Sequence, residues 1–289
     1  MKKFFLFVFT LGLIFILAGL VIIRYEDITT IINTYIFKNP NITLGNKNEY
    51  YRDYDFEFIQ NTEDFSPNNL QELLNIYYTI INAGKDEFTF YCPKDYENCL
   101  NDVGDLANDQ SKLSDINNFV HPFNSFSHIE TEYDSFGRVQ VRITKSYSAN
   151  DIDLINDKVD KLYTQLIDSN KSDVENIRKV HDYIINNSKY DSDRSDKKII
   201  NYRSDIAYGP LFEGYAICGG YTDLMQLFIE RMNIKSYRIS SDDHIWNALY
   251  LNNKWSHLDL TWDDPVASDG KDYLQHDFNQ EIYSELKEA

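Results

Sequence analysis

Two adjacent asparagines, Asn252 and Asn253, fix more of this chain's architecture than any other pair of neighbours. They separate two runs of strand-forming residues, 244–251 and 254–260. Asparagine tolerates positive φ, so the pair predicts a two-residue hairpin turn. A turn there sets Leu251 opposite Lys254 and, further out, Trp246 opposite Asp259 and His244 opposite Thr261. Strand side chains alternate with a period of two, so His244 and Asp259 share one face, on a diagonal. Cβ atoms on such a diagonal are about 7 Å apart, within reach of a carboxylate–imidazole hydrogen bond.

Upstream stands Tyr215-Ala216-Ile217-Cys218-Gly219-Gly220-Tyr221, followed by Leu224, Met225, Leu227, Phe228 and Met232. That spacing predicts a buried helix beginning near Cys218. The positive end of a helix dipole favours the thiolate of a cysteine placed there. Gly219 and Gly220 are expected to leave the sulfur uncrowded, so that the backbone N–H groups of Cys218 and Gly219 face a developing oxyanion. A thiol, an imidazole and a carboxylate are the parts of a nucleophile, base and orienter, here Cys218, His244 and Asp259. Plainer readings stand beside this one. Most free cysteines are small buried hydrophobes, and a hairpin can carry a surface His and Asp without chemistry. His257 is a rival base, but it shares a strand with Asp259. His181 falls on a helical apolar stripe and reads as a packing histidine. His121, in Val120-His121-Pro122-Phe123-Asn124, reads as structural. With no CxxC, HExxH or tight His pair, no metal site is expected. Asp263-Asp264-Pro265 reads as a solvated turn rather than a calcium loop.

The chain carries 28 basic and 46 acidic residues over 289, a net charge of −18. Such a surface repels phosphate backbones, which argues against a nucleic-acid partner. A nearly unbroken apolar run, residues 4–23, follows Met1-Lys2-Lys3. Twenty helical residues span roughly 30 Å, the hydrocarbon thickness of a bilayer. Lys2 and Lys3 favour a cytoplasmic N-terminus and an extracytoplasmic remainder. A cleaved signal peptide is the rival, less favoured because no small-x-small site follows the run. In an oxidising compartment Cys92 and Cys99 can pair, leaving Cys218 as the free thiol. A helix starting at Pro93 would hold the two about 10 Å apart, so bridged and unbridged forms both stay open.

The pattern along the chain gives a transmembrane anchor (1–23), a polar stalk (24–62), a small α+β region (63–150) and a larger domain (151–289). In the α+β region, Ser66-Pro67 is expected to open a helix, 87–91 to form a strand, Pro93 to start a helix, and 127–147 to form a hairpin about Asp134-Ser135-Phe136-Gly137. In the larger domain, helices are expected from Asp151 and from the capping box Ser172-Asp173-Val174-Glu175.

The three motifs together resemble the transglutaminase-like superfamily: residues 214–221 its cysteine block, His244-Ile245-Trp246-Asn247 its histidine strand, and Asp259-Leu260-Thr261-Trp262 its aspartate strand end. Tyr208-Gly209-Pro210-Leu211 is similar to the lead-in. The resemblance covers about 172–265. It implies an α+β, papain-like core with N-terminal helices and a Cys-bearing helix packed on an antiparallel sheet. It implies a Cys218-His244-Asp259 triad working through a thioester, with Trp246 and Trp262 as core or site-wall residues and Tyr221 as a site-wall residue. The expected substrate is a protein or peptide amide at the cell surface, cross-linked or hydrolysed, with no cofactor. The alternative is a non-catalytic surface domain that keeps the fold.

Overall fold

The computed structural model describes residues 2–25, 28 and 42–264. Parts of the expected stalk (26–27 and 29–41) and the C-terminal stretch 265–289 of the expected larger domain, with Pro265, lie outside the described residues. The chain divides into two compact units. One comprises Met1–Asn48, Asp53–Gln110 and His128–Ile143; the other comprises Glu49–Arg52, Ser111–Ser127 and Thr144–Ala289. The division is therefore not a single cut near residue 150, because short upstream segments are built into the second unit.

The first unit opens with helix α1 (Lys2–Ile23), whose described apolar side chains include exposed Phe9, Phe15 and Ile22. Among the described residues, whose side chains in α1 run from Phe9 to Leu20 and include Ile22, no helix is long and apolar enough to cross a membrane. Helix α2 (Leu70–Asn82) starts later than Ser66-Pro67 suggests. Asn69 caps it, accepting from the Glu72 N–H at 3.0 Å, while Glu72 takes the Asn69 amide at 2.9 Å. This reciprocal pair satisfies two donors and outcompetes the serine–proline signal.

Strand β1 (Glu87–Tyr91) falls as expected, but the helix after it, α3 (Cys99–Asn108), begins at Cys99 and not at Pro93. Residues 93–98 instead form tight turns, with Tyr96 N–H on the Pro93 carbonyl at 3.2 Å and Cys99 N–H on the Tyr96 carbonyl at 3.0 Å. Cys92 thus lies outside the helix, 5.7 Å from Cys99 between Cα atoms, and the two form a disulfide. The far side of Cys92 is fixed by its N–H bond to Gly137 O at 2.8 Å. Gly137 has φ of 96°, a region hostile to a side chain. It ends the turn between β2 (Phe126–Tyr133) and β3 (Arg138–Lys145), and the sheet order is β1-β3-β2.

After Glu49–Arg52, the second unit carries α4 (Gln110–Asn117) from Ser111 onward and a 3₁₀ turn, Pro122–Asn124. Helices α5 (Ala149–Leu166) and α6 (Asp173–Asn187) each start on a capping box, Ser148 with Asp151 and Ser172 with Glu175. Strand β4 (Lys189–Tyr190) pairs in parallel with β5 (Tyr215–Ala216) around helix α7 (Ser192–Lys197) and a π-helical turn, Gly209–Glu213. Helix α8 (Cys218–Arg231) follows, then an antiparallel sheet β6-β7-β8 (Ser236–Ser240, Ile245–Leu251, Lys254–Leu258) and the short α9 (Leu260–Asp263).

Helix α8 is the axis of this unit, with every residue from Gly220 to Ile229 buried. Ile155, Val159 and Leu162 of α5 join it in one core with Ile177, Val180 and Ile184 of α6 and with Leu249, Leu251 and Leu258 of the sheet. Each such side chain contributes about 1.5–3 kcal/mol of apolar burial, so the cysteine stands at the end of the most firmly held element in the unit.

Residues 49–62 are not stalk. Arg52 is buried and donates to the Phe119 carbonyl (2.6 Å) and to Glu230, while Tyr50 stacks on His121, all within the second unit. Phe56 and Ile59 are buried in the first unit. A polar, Asn- and Tyr-rich stretch without periodicity hides such isolated anchors.

Candidate active site

Cys218 is the first residue of α8, half-buried and a free thiol. Ile217 caps the helix in extended conformation, its N–H held by the Ser204 carbonyl at 2.8 Å. The first intrahelical bond runs from Tyr221 N–H to Ile217 O at 3.2 Å, so the N–H groups ahead of it open toward the thiol end of the helix. The two glycines also serve a packing purpose. A Cβ on Gly219 would lie 2.6 Å from Asp205 O, and one on Gly220 would lie 2.3 Å from Ser204 O. Their small size lets the 204–206 backbone roof the helix start.

The hairpin register is the one the Asn252-Asn253 turn dictates: Leu251 opposite Lys254, outward to Asn247 opposite Leu258. Both asparagines have positive φ, 52° and 64°. The ladder stops at Leu258, because Asp259 turns the chain into α9, so Thr261 is not a strand residue as the pairing suggested. His244 and Asp259 nevertheless meet, with His244 Nε2 donating to Asp259 Oδ2 at 2.6 Å. Asp259 divides its oxygens. Oδ1 accepts the N–H groups of Thr261 (3.1 Å) and Trp262 (3.4 Å), capping α9, which leaves Oδ2 for the imidazole. The Asp259 hydrogen bond, then a hydrogen bond with Cys218, push the His244 pKa up from 6.5 to about 10; burial opposes them, and the charges of both partners add to the rise.

Trp246 stacks on His244, with ring centroids 5.4 Å apart and planes inclined by 21°. Its indole N–H donates to His257 Nδ1 at 2.7 Å, so the rival histidine is engaged with the tryptophan. Trp262 is 65 % exposed, beside the Asp259 cap. Tyr221 departs from expectation. It is wholly buried in the α8 core, and its hydroxyl donates to Asp264 rather than lining a site wall, because the face of α8 it occupies turns inward. His121 is buried, its Nδ1 accepting the Phe123 N–H at 3.1 Å and capping the 3₁₀ turn. Burial, then Arg52, Arg231 and Arg238, hold its pKa well below 6.5.

Several polar residues that join helix and hairpin carry no local sequence signal. Asn247 of β7 donates to the Thr222 carbonyl (3.1 Å) and to Gln226 Oε1 (3.0 Å) on α8, and Thr222 Oγ1 donates to the Ile245 carbonyl at 2.9 Å. Asp223 pairs with Arg238 of β6 at 2.7 Å and accepts the Tyr147 hydroxyl at 2.6 Å, while Tyr147 accepts the Ala207 N–H at 2.8 Å. Burial and the Asp223 charge push the Tyr147 pKa well above 10, so it stays a donor. Arg203 grips Asp151 with two bonds, 2.8 and 2.7 Å, which fixes the roof loop on α5. Only long-range pairing reveals these contacts. Among the described residues no group of three His, Cys, Asp or Glu side chains is arranged to hold a metal ion.

Residues 160–260 match the model of the transglutaminase-like superfamily. No curated protein matches the chain. Among solved structures it is similar to a TGase, at 12% identity and a TM-score of 0.38, over 57% of this chain and 49% of that one. It is also similar to a candidate cysteine protease from Cytophaga hutchinsonii, at 15% identity and a TM-score of 0.30, over 46% of this chain and 61% of that one. The chain thus spans about half of the first and three fifths of the second.

Proposed function

From the match of residues 160–260 to the transglutaminase-like superfamily, we propose that the protein is a thiol enzyme acting on amide or peptide bonds through Cys218, His244 and Asp259. The observation that carries the reading is the His244 imidazole bonded to Asp259 Oδ2 at 2.6 Å, with Cys218 among the groups that raise its pKa. An imidazolium beside a sulfur favours the thiolate. The thiolate attacks the carboxamide carbon, forming the C–S bond. As the C–N bond breaks, the departing amine or ammonia takes the proton of His244. Water or a second amine then attacks the thioester, gives its proton to His244 and releases the Cys218 thiolate. In this reading the N–H groups at the start of α8 face the developing oxyanion.

Residues 4–23 anchor the chain in this reading, with Lys2 and Lys3 cytoplasmic and the catalytic unit outside, where a protein or peptide substrate is met. The helical backbone of α1 and the Cys92–Cys99 disulfide support the anchor and the oxidising compartment respectively.

The test uses the detergent-solubilised full chain and its Cys218→Ala variant in a glutamine–amine incorporation assay and a peptide-cleavage assay. Signal in either assay that disappears in the variant is the expected result. Equal signal from both proteins would leave a non-catalytic surface domain.

A further inference from the structure

Asp259 can hold His244 only if the four-residue helix that Asp259 caps is itself held. A single turn has no stability of its own, since helix nucleation is unfavourable. Two side chains from the neighbouring long helices grip the far end of α9. His181 of α6, with no exposed surface, donates from Nε2 to Asp263 Oδ2 at 2.9 Å and from Nδ1 to Asp182 Oδ1 at 3.0 Å. Tyr221 of α8 donates its hydroxyl to Asp264. A ring that bonds carboxylates through both nitrogens is an imidazolium.

We infer that His181 is a positioning residue: by pinning Asp263 to α6 it fixes the turn whose first N–H groups hold Asp259 Oδ1, and so aims Asp259 Oδ2 at His244. Three facts converge on this. The Asp259 carboxylate is held through Oδ1 by the Thr261 and Trp262 N–H groups. The turn is too short to fix those groups unaided. The ring that pins it is buried in an apolar stripe, where an uncompensated charge is costly and a paired one is held firmly. Burial lowers the His181 pKa, but hydrogen bonds to Asp182 and Asp263, and their charges, outweigh it and leave the pKa above 6.5.

This inference rests on Asp259 orienting His244, as proposed above, and the experiment separates the two. Cys218 of the full chain is alkylated with iodoacetamide across pH, and the upper inflection reports loss of the His244 proton. Parent, Asp259→Asn, Asp263→Ala, Asp263→Asn and His181→Gln are compared, with melting temperature as the control for folding. Asp263→Ala and His181→Gln are expected to lower the inflection by about one unit, a tenfold change in proton affinity. Asp263→Asn, which still accepts from His181, restores most of it. Asp263→Ala adds nothing in an Asp259→Asn background. A merely structural His181 would lower melting temperature and leave the inflection in place; that outcome, with Asp259→Asn still shifting it, overturns the inference. If Asp259→Asn also leaves the inflection unmoved, the orienting role of Asp259 fails and the pin fails with it. Asp263 has 15% side-chain exposure and Tyr221 separately bonds Asp264, so the variants are expected to keep the fold.

Discussion

The indole of Trp246 lies between two histidines, stacked on His244 at 5.4 Å and bonded through Nε1–H to His257 at 2.7 Å. An aromatic face beside an imidazolium stabilises its charge by about 0.5–1 kcal/mol at a partly exposed site. Trp246→Leu should therefore lower the His244 pKa by less than about one unit, since one unit is about 1.4 kcal/mol. NMR titration of the His244 ring protons measures it. A shift of zero would mean that the stacking is only packing.

Asp259→Asn should act more strongly. The Asp259 hydrogen bond is the largest cause of the rise from 6.5 to about 10, and an asparagine still caps α9 through its carbonyl. The variant should stay folded while its His244 titrates well below pH 10. The pKa is raised in the folded state, so the stability from charged His244 is full below pH 6.5 and is lost as pH rises through about 10. Denaturation between those limits should show the parent losing stability as pH rises, and Asp259→Asn losing much less.

Arg238→Met tests the buried network. The side chains of Asp223 and Arg238 are 6% and 5% exposed, so removing the cation strands a carboxylate in the core. Breaking a buried pair from one side costs about 3–5 kcal/mol. A urea midpoint lowered to match, at unchanged slope, is the expected result.

At Gly220 two effects compete. Alanine improves helix propensity by about 1 kcal/mol. Its Cβ would meet Ser204 O at 2.3 Å and Ile206 O at 3.2 Å, and these are backbone atoms that cannot swing aside. Overpacking of this kind costs about 1–3 kcal/mol or more, so the clash should win. Gly220→Ala should lower the melting temperature and slow alkylation of Cys218 as the helix start shifts. An unchanged or raised melting temperature would refute this.

What the sequence disclosed follows from the range of each interaction. The hairpin register was legible because a two-residue turn and a period of two leave no freedom between 247 and 258. The Ser172 box was legible because both its bonds span three residues. The Cys92 pairing was not, because it depended on where a helix started, which the turns at 93–98 decided. Asn247, Asp223 and Arg238 were illegible for another reason: their partners are set by tertiary packing, 15 to 76 residues away in the chain for the bonds that matter. His181 looked like packing because a buried ring on an apolar stripe has the same spacing whether or not carboxylates await it.

The amide of Asn247 ties the helix that begins at Cys218 to the strand that follows His244. Architecture and reactivity are therefore separable in this molecule. A variant that lost Cys218 should keep this contact, since Asn247 bonds Thr222 and Gln226 without the thiol.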